Sequence, residues 1–498
     1  MYSLARTIRI AAIAALALTT ACVSSVSDSE RMALRHHVVA MDGEGIAIDP
    51  KNLRVFDSDA EFAAYLQEIA DALRQKIEER PASEKGAPLP VMLNFHGALN
   101  TRTGALATAN DLYRCIGLSM YPIFINWDAS IFGAYADHLF RIRQGRRNEW
   151  LGWPTSPVYL GNDVALGAAR APVTWGYQLK NRWVADVPWT SVFQNNAEQV
   201  HRVISKIDQS LPPDTDPTAS REVVHISAPD ETDRRKVSLK TPFRLVAGIA
   251  KLPVQMAISP LLASAGTAAW SNYVRRSSAA IRQPHEFDVR EANDHVHGWE
   301  PTGALGALML KLGQEFRPGE LSFSLVAHST GAIIVNRLIE TFPDFDYRNI
   351  VYLAAATSVD DFASVVIPYL LRNPDSRFFS VSLDPYREAR EESLFVLPSG
   401  SLLEWLDSYF TKPASDMGRI MGKWENLMAT QHIIPESIRG RVYLTKQPYR
   451  SFETGTDGEP DRPQTHGQMN DVLDDYVYWL EESWKGEAQS FRCPSFDE

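Results

Sequence analysis

The sequence predicts an α/β architecture: a mostly parallel central sheet flanked by helices, with one large inserted region. Three observations lead there. Short continuous apolar runs of strand length recur on either side of the chain's middle and alternate with helix-like segments, the pattern of strands buried on both faces. Polar residues directly follow several of these runs, and right-handed crossovers collect the C-terminal ends of parallel strands along one rim. Between about residues 129 and 300 the rhythm is lost, and the chain becomes rich in Trp, Pro, Gly and Arg.

The first segment with a regular period is Asp57 to Arg80. Phe62, Leu66, Ile69, Leu73 and Ile77 recur at spacings of three and four, which predicts an amphipathic helix. Val91–Phe95 (VMLNF) then reads as a strand ending in His96-Gly97, and Tyr121–Trp127 as a second ending at Asp128. After the insertion the strands are Ser322–Ala327, Asn349–Ala356, Arg377–Leu383 and Arg441–Lys446. Asn470–Trp484, with Val472, Leu473, Tyr476, Trp479 and Leu480, is expected to close the chain as a helix. The domain plan is a signal at 1–21, a Ser-rich flexible tether at 22–33, and a core at 34–128 and 301–498 interrupted by a cap at 129–300.

The 498 residues are 45% apolar and 22% charged, enough for a large core. A formal charge of −11 argues against nucleic acid as a partner, because an acidic surface repels phosphate. Arg141, Arg143, Arg146 and Arg147 are a local exception. A solvated face after a strand is preferred there over a site for an anionic lipid or substrate group. At the N-terminus, Arg6 and Arg9 precede an apolar run, Ile10 to Leu18, that is too short to span a bilayer. Thr19, Thr20 and Ala21 then lead to Cys22. This resembles a bacterial lipoprotein signal, which implies export to the cell envelope and a lipid on Cys22. Thr19 stands where such signals usually carry Leu, and ordinary cleavage after Ala21 also fits. The other cysteines, Cys115 and Cys493, are either a disulfide or two thiols, and spacing does not decide between them.

The chemistry concentrates at Ala327-His328-Ser329-Thr330-Gly331, between a strand and the helix-like AIIVNRLIETF. A serine on so sharp a turn needs small residues two places before and after it, so that the backbone can close against its neighbours. The turn resembles the nucleophile elbow of α/β-hydrolases, with Ala327 where that family usually has Gly. The resemblance covers about residues 88–128 and 320–485. HGALNT followed by FINWD is also similar to a strand pair in bacterial α/β-hydrolases. The family's chain order of Ser, acid, His implies Ser329 as nucleophile and, of the two histidines that follow it, His466, in the loop before the closing segment, rather than His432 as its base. The acid is Asp384, or alternatively Asp360 or Asp361 after the preceding strand. Oxyanion donors are expected from the backbone of Thr330 and of the Gly97-Ala98 loop.

The cap's most apolar part, Phe243–Trp270, reads as a buried helical pair, with a lid touching lipid or an acyl chain as the alternative. Lys251, Pro253 and Pro260 make it a poor transmembrane span. His295 and His297 are read as loop histidines rather than metal ligands. No phosphate loop, dinucleotide fingerprint or HExxH motif is present, so no cofactor or metal is expected. The expected activity is hydrolysis of a small or lipid-like carboxylic ester through an acyl-serine. Acyl transfer or amide hydrolysis on the same residues, and a silent scaffold binding an envelope partner, are the alternatives. The membrane enters through the N-terminal anchor, and oligomeric state is not readable.

Overall fold

Ten strands form a single sheet in the computed structural model, which describes residues 26–98, 100–143, 146–147, 149–186, 223–228, 241–282, 303–391, 398–411, 413–448, 462–487, 491 and 493. In chain order they are β1 (Val38–Met41), β2 (Ala47–Asp49), β3 (Arg54–Val55), β4 (Leu89–Phe95), β5 (Tyr121–Asn126), β6 (His225–Ser227), β7 (Leu321–His328), β8 (Tyr347–Leu353), β9 (Arg377–Ser382) and β10 (Val442–Lys446). Their order across the sheet is β3-β2-β1-β5-β4-β7-β8-β9-β10-β6. The β1–β2 and β2–β3 pairs are antiparallel, and every other pair is parallel.

The central strands carry helices on both faces. Val91, Leu93 and Phe95 of β4 and Leu325 of β7 pack in one cluster with α1 (Asp59–Glu78), α6 (Ala304–Glu315) and α7 (Gly331–Thr341). Met92 and Val326 point the other way, into a cluster with α2 (Arg102–Ile116) and the aromatic residues Trp479 and Trp484. Alternate residues thus reach opposite cores, which is why the strands read as unbroken apolar runs. Ser58 caps α1 by accepting a hydrogen bond from Glu61 N, one residue inside the expected boundary.

The topology selects one place on the rim. From β4 the chain moves to β5 on one side, whereas from β7 it moves to β8 on the other. The C-terminal ends of β4 and β7 therefore flank a switch point, where an open α/β sheet leaves a crevice.

Several expectations change. The segment Asn470–Trp484 is not one helix: Val472–Leu473 and Tyr476–Val477 pair as a short antiparallel ribbon, and only Glu481–Lys485 is helical. Tyr476, Val477, Tyr478 and Trp479 are all buried in succession, which no single helix face can provide. The proposed tether is partly ordered, because Ser27 and Glu30 form a capping box on the helix Asp28–Ala33. In the insertion, Phe243–Trp270 belongs to one continuous helix, α5 (Thr241–Ala279), rather than a pair. Its partner is α4 (Glu149–Asp186), and α5 also packs on α3 (Ile131–Phe140). By length and hydropathy Ala250–Ala279 reaches the range of a membrane-crossing helix despite its prolines. Its C-terminal end is nevertheless fixed to the core, with Arg276 paired to Asp137 at 2.7 Å and to Asp128 at 3.3 Å. The insertion also supplies β6, so it is not purely a cap. Ile142–Arg143 and Arg146–Arg147 pair as a short antiparallel ribbon ahead of α4. His295, His297 and Cys22 lie outside the described residues. Cys115 and Cys493 form a disulfide with Cα atoms 5.4 Å apart, tying the C-terminal tail to the end of α2.

Candidate active site

Ser329 sits where β7 hands over to α7, at the switch point. Its φ of 53° lies in the left-handed region, unusual for a residue with a side chain. Backbone hydrogen bonds hold it there: Ser329 N–H donates to the Leu353 carbonyl at 2.8 Å, and the Ser329 carbonyl accepts from Ala356 N–H at 2.9 Å. Strain of this kind costs on the order of 1–3 kcal/mol and persists only where surrounding bonds over-determine the turn.

Two glycines make the turn sterically possible. A Cβ on Gly97 would fall 2.7 Å from Ser329 Cβ and 2.8 Å from His328 Nδ1. A Cβ on Gly331 would fall 2.6 Å from the Phe95 carbonyl oxygen. Both positions therefore exclude any larger residue without displacement. The same closeness brings the His96–Ala98 turn against Ser329, with Ala98 half-buried beside it. Thr330 begins α7 and is fully buried; its Oγ1 is hydrogen-bonded to the Tyr273 hydroxyl at 2.8 Å. Tyr273 comes from α5 and meets Trp127 edge-on, ring centres 4.9 Å apart, so the insertion reaches the residue beside Ser329.

His466 meets Ser329 across 137 residues of sequence, Nε2 to Oγ at 2.9 Å. This is hydrogen-bond reach for proton transfer. Two side chains hold the His466 backbone. Its N–H donates to Glu391 Oε2 at 2.7 Å, and its carbonyl accepts from His328 Nε2 at 3.0 Å. That bond fixes the His328 tautomer: Nε2 carries the proton and Nδ1 is left as an acceptor. Burial drives His328 from 6.5 to about 4, partly offset by its bond to the His466 carbonyl. Burial, and then the neighbouring His328, hold His466 well below the usual histidine range. Both rings are thus neutral near pH 7, as a general base requires. Burial raises the Glu391 carboxyl, and its bond to His466 N–H partly offsets this.

The aspartates are placed differently from Ser329 and His466. Asp384 is buried at the end of β9 and caps the helix Pro385–Arg390, accepting from Tyr386 N–H at 2.9 Å. It makes no hydrogen bond to His466, whose buried Nδ1 has no partner among the described residues. Asp360 is exposed, and Asp361 accepts from Thr357 Oγ1 and from Ser358 in a capping box. The structure therefore brings together Ser329, His466, Thr330, Gly97 and Ala98, and leaves the three aspartates in capping or exposed positions. Sequence reasoning missed Tyr273, Glu391 and the clamping role of His328. His328 was visible as part of the elbow motif, but neither Tyr273 nor Glu391 stands in any motif. Among the described residues no three or more His, Cys, Asp or Glu are grouped to hold a metal ion. Comparison of the chain with protein-family models, with curated proteins and with solved structures finds no match.

Proposed function

We propose that this chain is a serine hydrolase of the α/β-hydrolase type that cleaves a carboxylic ester through an acyl-enzyme on Ser329. The observation that carries this reading is the 2.9 Å contact between Ser329 Oγ and His466 Nε2, made on a left-handed turn at the switch point of the sheet. In the proposed reaction Ser329 Oγ attacks the ester carbonyl carbon while its proton passes to His466 Nε2. The carbonyl π pair moves onto oxygen, and the resulting oxyanion is stabilised by the amides of Thr330 and the Gly97-Ala98 loop. Collapse of the adduct expels the alcohol, which takes the proton from Nε2. Water, activated by the same nitrogen, then releases the acid and restores Ser329. The acid assigned to His466 in this reading is Asp384, which in the structure caps the helix Pro385–Arg390 and is not at Nδ1. Catalytic hydrogen bonds are often loose or unformed before substrate binds.

Labelling the purified protein with a fluorophosphonate and locating the adduct by mass spectrometry tests the proposal. Modification at Ser329, lost in His466→Ala, is expected. The second reading, a scaffold without turnover, draws on the unpartnered Nδ1 of His466, and absence of any adduct would favour it. Export to the cell envelope with a lipid on Cys22 is proposed from the N-terminal signal, and the Cys115–Cys493 disulfide is consistent with an oxidising compartment. Cys22→Ala is expected to abolish incorporation of a labelled fatty acid into the protein.

A further inference from the structure

We infer that the outer face of α4 is a docking surface for an anionic phospholipid bilayer. The helix is inside-out. Its buried seam, facing α5 and the core, is polar or small: Asp163, Gly167, Thr174, Gln178 and Asn181. These groups are satisfied within the protein, as where Tyr135 donates to Asp163 at 3.0 Å and Gln178 to the Tyr409 hydroxyl at 2.9 Å. The outward side is apolar. Trp150 is 91% exposed, Trp153 and Val158 are 70% exposed and Val173 is 61%, with Leu166 and Leu179 along the same helix. From Leu151 to Leu179 no exposed residue is charged, and the one exposed amide is Asn162. At 1.5 Å per residue this face runs about 40 Å, far beyond the scattered apolar residues of an ordinary surface.

In water the burial pattern of an amphipathic helix is the reverse of this one. A polar seam with an apolar outer face suits a helix whose outer surroundings are lipid. Two features specify a bilayer with anionic headgroups. Trp150 and Trp153 stand at one end of the face, where an amphipathic ring fits the headgroup level. The exposed Arg141 and the ribbon bearing Arg143, Arg146 and Arg147 immediately precede them, a basic position on a chain whose formal charge is −11. The surface stands independently of the hydrolase reading, because it rests on burial and charge alone. If that reading also holds, docking would set against lipid the insertion whose Tyr273 contacts Thr330.

The test is flotation of the full chain carrying Cys22→Ala, so that no N-terminal acyl chain contributes, with vesicles of phosphatidylethanolamine and phosphatidylglycerol. Binding is expected, falling on phosphatidylcholine vesicles and at high salt. Val158→Glu with Val173→Glu is expected to lower the vesicle-bound fraction on the order of tenfold or more. The double variant should keep the wild-type melting temperature, since both side chains point outward. Three outcomes overturn the inference: no flotation of the wild-type chain, unchanged flotation of a folded double variant, or a stable dimer that the double variant dissolves while vesicle binding is absent. None of these readouts depends on Ser329 reacting.

Discussion

The helix after β7, α7, and the long insertion helix α4 obey opposite rules. In α7 the residues Ala332, Ile334, Val335, Leu338 and Ile339 are buried against the sheet. In α4 the residues of that chemistry face outward and the seam holds Asp163, Gln178 and Asn181. The contrast teaches that burial in this protein is arranged for two surroundings. The core helices satisfy the hydrophobic effect against the sheet, whereas α4 meets the protein through hydrogen bonds and small residues. The rim between them combines both constraints. Ser329 is strained and fully buried on the core side, and Tyr273 reaches down from the insertion to the residue beside it.

The sharpest test of this division is catalytic. Ser329→Ala and His466→Ala should each lower turnover of a short soluble ester by roughly three orders of magnitude or more, with the double variant little worse. Exposed α4 substitutions such as Val158→Glu should leave that rate nearly unchanged. Near-normal turnover in a folded Ser329→Ala protein would end the hydrolase reading.

The next effect is on pH and belongs to the core side alone. His328 and His466 are depressed by burial, so each binds protons more readily in the unfolded chain than in the folded one. Their contribution to stability is complete above about 6.5 and is lost as pH falls from 6.5 toward the folded values. For His328, held at about 4, the loss is on the order of 3 kcal/mol by pH 4. Denaturant midpoints measured from pH 7 to pH 4 should fall, and His328→Asn should flatten the slope. The acid limb of the ester-hydrolysis rate should likewise lie below pH 6.5, because His466 stays neutral there.

Glycines divide in the same way. Gly97→Ala places a methyl group 2.7 Å from Ser329 Cβ and should cost about 1–3 kcal/mol of stability, or reduce turnover if the loop moves instead. By contrast Gly161 and Gly176 of α4 have open space where a Cβ would be. Replacing either with Ala should stabilise the protein by up to about 1 kcal/mol through helix propensity. Melting curves of the three variants compare core and insertion directly, and a gain in Gly97→Ala would contradict the close approach at the elbow.

Between these in size is the clamp on His466. Glu391→Ala removes the acceptor of the His466 N–H and should lower kcat about tenfold, roughly 1.4 kcal/mol, with little change in KM. Glu391→Gln keeps an acceptor oxygen and should restore most of the rate. Equal losses in both variants would assign Glu391 a role in charge rather than in position.

Much of this was legible in one dimension, for a definite reason. Ser329, Thr330 and Gly331 are neighbours in the chain, so the strand–turn–helix boundary could be read from local apolar periodicity and the small residues of the turn. The same holds for α1 and for the central strands, whose unbroken runs follow from burial on both faces. The closing segment failed the same test: Tyr476 to Trp479 satisfy spacing rules for a helix, yet four consecutive burials require a ribbon. His466 was reachable from chain order alone, but its contact with Ser329 spans 137 residues and depends on how the rim closes. Tyr273, Glu391 and the His328 bond to the His466 carbonyl carried no signal, because each acts through a partner set by topology rather than by spacing. The disulfide of Cys115 with Cys493 and the outward apolar face of α4 belong with them. Composition and periodicity are properties of adjacent residues, and they determined the elements, the elbow and the class of architecture. Which side of α4 meets the protein, and which carboxylate holds the His466 backbone, are decided by the packing of distant segments, and only the tertiary structure holds that information.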